Sequence, residues 1–259
     1  MTTNRNLPEV TEDTATVPMI CTQTGIAACA GLALDAVLLN AALSDGRARA
    51  AIWASTPAVV VSRRDTQLPG FADSSSRLSD EGLPVLVRDS GGTAVLQGPG
   101  IVTLSLVHAS PPSLEESYEQ LRSVVAAAFA GWGIKFGLGA VDGAFCDGRH
   151  NLVTHMRKLA GTAQRRRRGR GRFAMTLAHA VILIDVDLSA MTRGINHFYS
   201  LAGVPRDFSF DICASLRDLA PGMGQELERQ SMELLSLAAR RGCIGNINAR
   251  EVDRHGRAA

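Results

Sequence analysis

An α+β domain is the fold class this sequence predicts, with antiparallel hairpins covered by helices. Three observations predict it. Strand-like runs fill the middle of the chain, over 85–107 and 151–185. The connections within 85–107 are glycine turns of hairpin length. Helical patterns stand on either side of this stretch rather than alternating with each strand.

The elements follow in order. Residues 1–18 are polar and rich in Thr and Glu, which predicts a flexible N-terminus, and 251–259 read as a flexible tail. A single domain is expected over 19–250. LALDAVLLNAAL (32–43) suits a helix, its apolar face recurring at helical spacing. AAIWASTPAVVVSRRD reads as two short strands split at Pro57, and 68–82 as a polar-rimmed connection or helix ending at Gly82. VLVRDSGGTAVLQGPGIVTLSLV (85–107) predicts strand, glycine turn, strand, tight turn, strand. SLEESYEQLRSVVAAAFAGWG (113–133) predicts a helix, with Ser113 and Glu116 forming a capping box. Strands are expected at 151–164 and 173–185, and helices at 189–202 and 222–242. There is no internal repeat, and QRRRRGRGR (164–172) is the one low-complexity patch.

Bulk properties narrow the function. A net charge of +2 over 259 residues argues against a general nucleic-acid binder. The five cysteines form no CxxC pair and no Cys/His metal spacing, and their odd number excludes complete intrachain pairing. Reduced thiols and a cytoplasmic protein without a bound metal are the expectation. Asp35 and Asn40 interrupt the apolar run from Ile26 to Leu43, so no membrane association is expected.

The chemistry concentrates in GAFCDGRHNLVTHMRKLAGTAQ (143–164). Gly143 and Gly148 permit an exposed turn at Cys146, and Lys158, Arg149 or His150 offer a positive field. A thiol can take an acyl group as a thioester, and an ammonium can steady the negative carbonyl oxygen. The bland alternative is a loop cysteine beside a solvated lysine. Small residues at Gly161 and Ala163 let a ligand approach the backbone. Arg88, Ser90, Gly91 and Gly92 stand in a glycine turn able to wrap a ligand, or simply to close a hairpin. His179, in LAHAVILIDVD, either lines a pocket or sits satisfied on a half-buried strand. The run Arg165, Arg166, Arg167 and Arg168 reads as a solvated loop, or as a contact for an acidic partner protein. RNA binding is disfavoured, since Phe173 is the sole aromatic beside the run.

Four blocks in order, SGGTAV, the Cys146 turn, KLAGTAQRR and LAHAVILIDVD, resemble the lipoate–protein ligase and octanoyl/lipoyl transferase family. The resemblance spans about Leu32 to Asp187. It implies a fold shared with biotin protein ligases, in which a mixed, largely antiparallel sheet bends round an acyl tunnel with flanking helices. It also implies transfer of a lipoyl or octanoyl group to one lysine of a lipoyl-domain protein, such as the H protein of glycine cleavage or an E2 subunit. Lys158 matches the family's lysine at the acyl carbonyl, and Arg88, Gly91 and Gly92 match the loop over the acyl group. ATP-dependent ligases read GGGAVYHDxGN, where this chain has GGTAVLQGPGI, so Thr93, Gln97, Gly98 and Ile101 replace the ligase residues. FCDGRHNL followed by RKLAGTAQRR resembles the cysteine-dependent amidotransferases. The resemblance therefore favours a transferase with Cys146 as nucleophile and no cofactor. An ATP- and magnesium-dependent ligase acting through lipoyl-AMP is the alternative, and a non-catalytic lipoyl-domain binding module is a third reading.

Overall fold

The computed structural model describes residues 20–110, 113–169 and 174–244. The expected tails at 1–18 and 251–259, and the Arg170, Arg172 and Phe173 positions, lie outside the described residues. The chain opens with β1 (Ile20–Ile26), α1 (Ala28–Asp45), β2 (Arg49–Ser55) and β3 (Ala58–Ser62). Next come α2 (Phe71–Asp80), β4 (Val85–Arg88), β5 (Val95–Gln97), β6 (Ile101–Ala109) and α3 (Leu114–Ala128). The remainder comprises β7 (Gly137–Gly139), β8 (Asn151–Thr154), β9 (Arg157–Arg168), β10 (Ala174–Leu183), α4 (Leu188–Leu201), α5 (Leu216–Leu219) and α6 (Leu227–Ala239).

Seven strands form one sheet in the order β1-β2-β6-β10-β9-β8-β7, and β4-β3-β5 form a second. The pairings are antiparallel except β1 with β2 and β3 with β4. The sheet is thus mixed and largely antiparallel with flanking helices, as expected, but divided in two. Pro57 marks the division: without a backbone N–H it ends β2, and the chain re-enters as β3 in the other sheet.

Alternation along β2 sorts side chains to the two faces of the large sheet. Ala50, Ile52 and Ala54 join a core with residues of α3 and α6, such as Leu121 and Leu235. Ala51 and Trp53 point the other way, against Leu38 and Leu39 of α1. A third cluster, including Val60, Leu78 and Phe198, fills the space around the small sheet, α2 and α4. α1 is long and apolar enough to cross a membrane by length and composition, yet its Asp35, Leu38 and Leu39 are buried against the sheet. Gly31 of α1 rides directly on Trp53: a Cβ there would stand 2.6 Å from the indole ring. Gly31→Ala is expected to cost about 1–3 kcal/mol through overpacking, read by urea unfolding.

Three expectations need correction. β9 does not stop at residue 164 but continues to Arg168, with Arg165 to Arg168 registered opposite Leu177 to Ala174 of β10. The arginine run is therefore strand; exposed side chains allow it, because β10 supplies the ladder bonds on one side while the charges stay in water. The cap of α3 is half a capping box: the Ser113 hydroxyl accepts from the Glu116 N–H at 3.1 Å, but the Glu116 carboxylate turns to that hydroxyl instead of the Ser113 N–H. The helix expected at 222–242 starts later, at Leu227, because turns interrupt 221–226, and past Ala239 it continues as a π-helical turn, Arg240–Ile244.

Candidate active site

The two sheets and the turn after β7 enclose a cavity lined mostly by apolar groups. Leu32, Trp53, Val60, Val181, Leu183 and Met191 form much of its wall. Polar groups interrupt it, among them Asp35, Arg88, Gln97, Cys146, Thr162 and His179, and Gly91, Gly161 and Ala163 line it as well. A mostly apolar cavity with a thiol on its wall suits an acyl chain.

Cys146 occupies the left-handed region, with φ of 47°. A non-glycine residue held there is strained, and the surroundings must over-determine it. They do so through its backbone. Its N–H donates to the Thr93 hydroxyl at 2.6 Å, and its carbonyl accepts from Asn151 Nδ2 at 3.0 Å and Lys158 Nζ at 3.1 Å. Phe145, just before it, is buried and gives its carbonyl to Lys158 Nζ as well. The sulfur is thereby presented to the cavity by contacts that leave the side chain free.

Lys158 lies one layer behind the turn. It is fully buried, its ammonium above the Phe145 ring at 4.3 Å from the centroid. It belongs to β9 and faces Val153 of β8 on one side, while its own N–H and C=O bond Ile212 O and Ala214 N at 2.8 Å each. Burial pushes its pKa below the ordinary value, and the neighbouring Cys146 and Cys213 push it back up. Gly161 leaves room beside it: a Cβ there would lie 3.6 Å from Nζ.

The Arg88 guanidinium reaches the sulfur, with Nη2 at 3.9 Å from Sγ. It also ties the glycine turn together, donating to Val60 O (2.7 Å), Thr93 O (2.7 Å) and Gly91 O (2.9 Å). Tyr199 fixes the far end of that turn. Its hydroxyl accepts from the Ala94 N–H at 2.8 Å and donates to Asp65 Oδ1 at 2.9 Å. Burial leaves the Tyr199 phenol well above its usual pKa, so it stays a donor. Gly92 packs on Cys146 with φ of 97°, where a Cβ would overlap Cys146 Sγ and come within 3.1 Å of Arg88 Nη2. Gly92→Ala is expected to cut acylation of the cysteine at least about a hundredfold, given how steeply such reactions depend on position. Intact-mass kinetics read that loss, and a retained cooperative melt separates it from unfolding.

The other expected residues fall as follows. His179 lines the cavity, its Nδ1 3.0 Å from Asp35 Oδ2, while Asp35 Oδ1 accepts from the Ser105 hydroxyl at 2.6 Å. Ala163 is on the wall, and the Ser90 hydroxyl is buried with no hydrogen-bond partner among the described residues. The arginine run lies further along β9. Arg165 pairs with Asp89 at 2.7 Å, Asp89 also takes Arg63 at 2.6 Å, and Arg167 donates to Asn40 at 3.1 Å. Through Asp89, the run is joined to the glycine turn that carries Arg88.

Several site residues had escaped sequence reasoning. Asp35 carried a signal, a lone acid inside an apolar helix. Thr93 had one too, since it replaces a glycine, but its bond to the Cys146 N–H is long-range. Gln97, on the cavity wall, also stood out as replacing a ligase residue, whereas Asn151 carried no signal. Among the described residues no cluster of His, Cys, Asp or Glu is arranged to hold a metal.

Comparison with known proteins places the chain among relatives. An octanoyl-[GcvH]:protein N-octanoyltransferase of Kyrpidia tusciae is 36% identical over 188 residues, 69% of this chain and 64% of that protein. The chain thus spans just under two thirds of that relative's length. An uncharacterised protein of Cupriavidus necator is 32% identical over 224 residues, covering 80% of this chain and 88% of its own. Among solved structures, lipoate-protein ligase A bound with ATP shares the fold, with a TM-score of 0.62 at 14% identity over 85% of both chains. Residues 28–207 match the lipoyl protein ligase A/B catalytic domain, and the chain belongs to that family.

Proposed function

We propose that this protein is an acyltransferase that moves an octanoyl or lipoyl group onto a lysine of a lipoyl-domain protein through a thioester on Cys146. The observation that carries the reading is the placement of the Cys146 sulfur on the wall of an apolar cavity, with the Arg88 guanidinium 3.9 Å away. The name of the Kyrpidia tusciae relative supports the same reaction and an H-type protein among the partners.

In the first half-reaction the sulfur attacks the acyl carbonyl of the donor, forming a C–S bond. The donor's leaving group, a carrier thiol or a lysine amine, departs with the proton. In the second, the acceptor lysine amine attacks the thioester, a C–N bond forms, and the C–S bond breaks to restore the thiol. Arg88 faces the sulfur and the developing oxyanion. Lys158 supports the same charge through the peptide groups it holds, each such donor being worth roughly a hundredfold in rate. Arg165 to Arg168, on the strand beyond the cavity, would receive an acidic face of the lipoyl domain. A nucleophilic thiol suits a reducing cytoplasm.

The test is intact mass after mixing the protein with an octanoylated or lipoylated carrier, without ATP. A hydroxylamine-sensitive acyl adduct supports the reading. No adduct, but modification of a lipoyl domain once lipoate, ATP and magnesium are added, replaces it with a ligase.

A further inference from the structure

Three hydrogen bonds hold the peptide groups of residue 146, and they come from two sides. Asn151 of β8 and Lys158 of β9 donate to its carbonyl, so both act from the large sheet. The third comes from the small sheet. Thr93 stands in the turn between β4 and β5, and its hydroxyl accepts from the Cys146 N–H at 2.6 Å.

Thr93 also meets the cation beside the sulfur. Its carbonyl accepts from Arg88 Nη2 at 2.7 Å, and that same nitrogen lies 3.9 Å from Cys146 Sγ. A ring of contacts therefore closes, running from the Cys146 N–H through Thr93 to Arg88 and back to the thiol. The ring is anchored from outside, since the next residue, Ala94, donates its N–H to the Tyr199 hydroxyl, and Tyr199 is fixed in turn by Asp65. A β-branched side chain has few rotamers, which keeps the Thr93 hydroxyl where this bond needs it. Thr93 itself stands outside the lining of the cavity. With the Cys146 N–H committed to Thr93, that amide is not free to steady an oxyanion, and the charge falls to Arg88.

We propose that Thr93 is a positioning residue, whose hydroxyl holds the Cys146 peptide in the left-handed conformation that keeps the thiol at the cavity wall beside Arg88. The inference rests on the thioester reading above. At φ of 47° the cysteine occupies a costly region that persists only under restraint from its surroundings. Without the hydroxyl, the small sheet loses its bond to this peptide, and the sulfur is no longer fixed relative to the guanidinium. A nucleophile displaced by about 1 Å loses about a hundredfold in rate. Binding of the acyl chain, which the cavity lining governs, is left alone.

The experiment separates positioning from binding. Wild type, Thr93→Val and Thr93→Ser are loaded from a small octanoyl thioester over a range of concentrations. Intact mass in single turnover gives a saturating rate and a half-saturating concentration for each. Valine keeps the branched shape and removes the hydroxyl, whereas serine keeps the hydroxyl. For Thr93→Val, a saturating rate lower by about a hundredfold is expected, with half-saturation within about threefold of wild type. Thr93→Ser should recover to within about tenfold of the wild-type rate. A wild-type rate in Thr93→Val overturns the inference. Equal slowing in Thr93→Ser overturns it too, since the methyl group and not the hydroxyl would then matter. So does a rise in half-saturation at an unchanged saturating rate, which would make Thr93 a binding residue. Should Thr93→Val lack a cooperative melt, Thr93→Ala takes its place, and unfolding of both overturns the inference by making the bond a support of the fold. Failure of the wild type to load at all removes the thioester reading, and the inference with it.

Discussion

Cys146→Ala is expected to lose acyl transfer entirely while keeping its fold. The contacts that hold the turn reach the peptide groups of residue 146, through Thr93, Asn151 and Lys158, and none of these bonds uses the sulfur. Removing the thiol therefore deletes the proposed nucleophile without releasing the loop. The stability change should stay within about 1 kcal/mol, because alanine meets the same left-handed φ that cysteine already tolerates. Single-turnover transfer and a thermal melt check both halves of this expectation. Residual transfer without ATP at the wild-type rate would remove the thioester from the mechanism. Cys146→Gly adds a control of opposite sign, equally inactive but relieved of backbone strain of about 1 kcal/mol.

Lys158→Met is the second large effect. Methionine fills similar volume but leaves the Phe145 carbonyl without its donor, and the Cys146 carbonyl with Asn151 alone. The cost of an unpaired buried carbonyl is about 1–3 kcal/mol. Acyl transfer should fall at least about a hundredfold, as the turn loosens and the buried charge disappears. The two proteins should also differ in how stability responds to pH. Burial lowers the Lys158 pKa in the folded state from 10.5, so between the two values the unfolded chain binds more protons than the folded one. The contribution of this residue to wild-type stability is thus smallest below the folded pKa, rises with pH through the window, and levels off above 10.5. Lys158→Met has no such rise, and urea unfolding across alkaline pH reads the difference directly.

Local chemistry made much of the fold legible. The strand–turn–strand–turn–strand pattern over 85–107 became β4, β5 and β6, though not as hairpins, since β4 and β5 each pair with β3 while β6 joins the large sheet; Pro57 did split two strands. β1, with the sequence ICTQTGI, and the three-residue β7 were missed because neither is long and periodic enough to stand out. The strand nature of Arg165 to Arg168 was hidden by composition: only the ladder from β10, supplied from outside the segment, makes strand of it. At the site, Cys146, Lys158 and Arg88 could be picked out as chemically able residues. Their arrangement could not. That Arg88, from another sheet, is brought within 3.9 Å of the sulfur is a product of tertiary packing.

The segment from Ile212 to Ala214 has a consequence for any attempt to trim the protein. The family match ends at residue 207, and every residue lining the cavity precedes that point. A chain cut there would keep the whole binding surface. It would lose the peptide groups of Ile212 and Ala214, which grip Lys158 on both sides of its backbone. The smallest working unit is therefore longer than the outline of its pocket, and the stretch past the shared domain serves as a clasp.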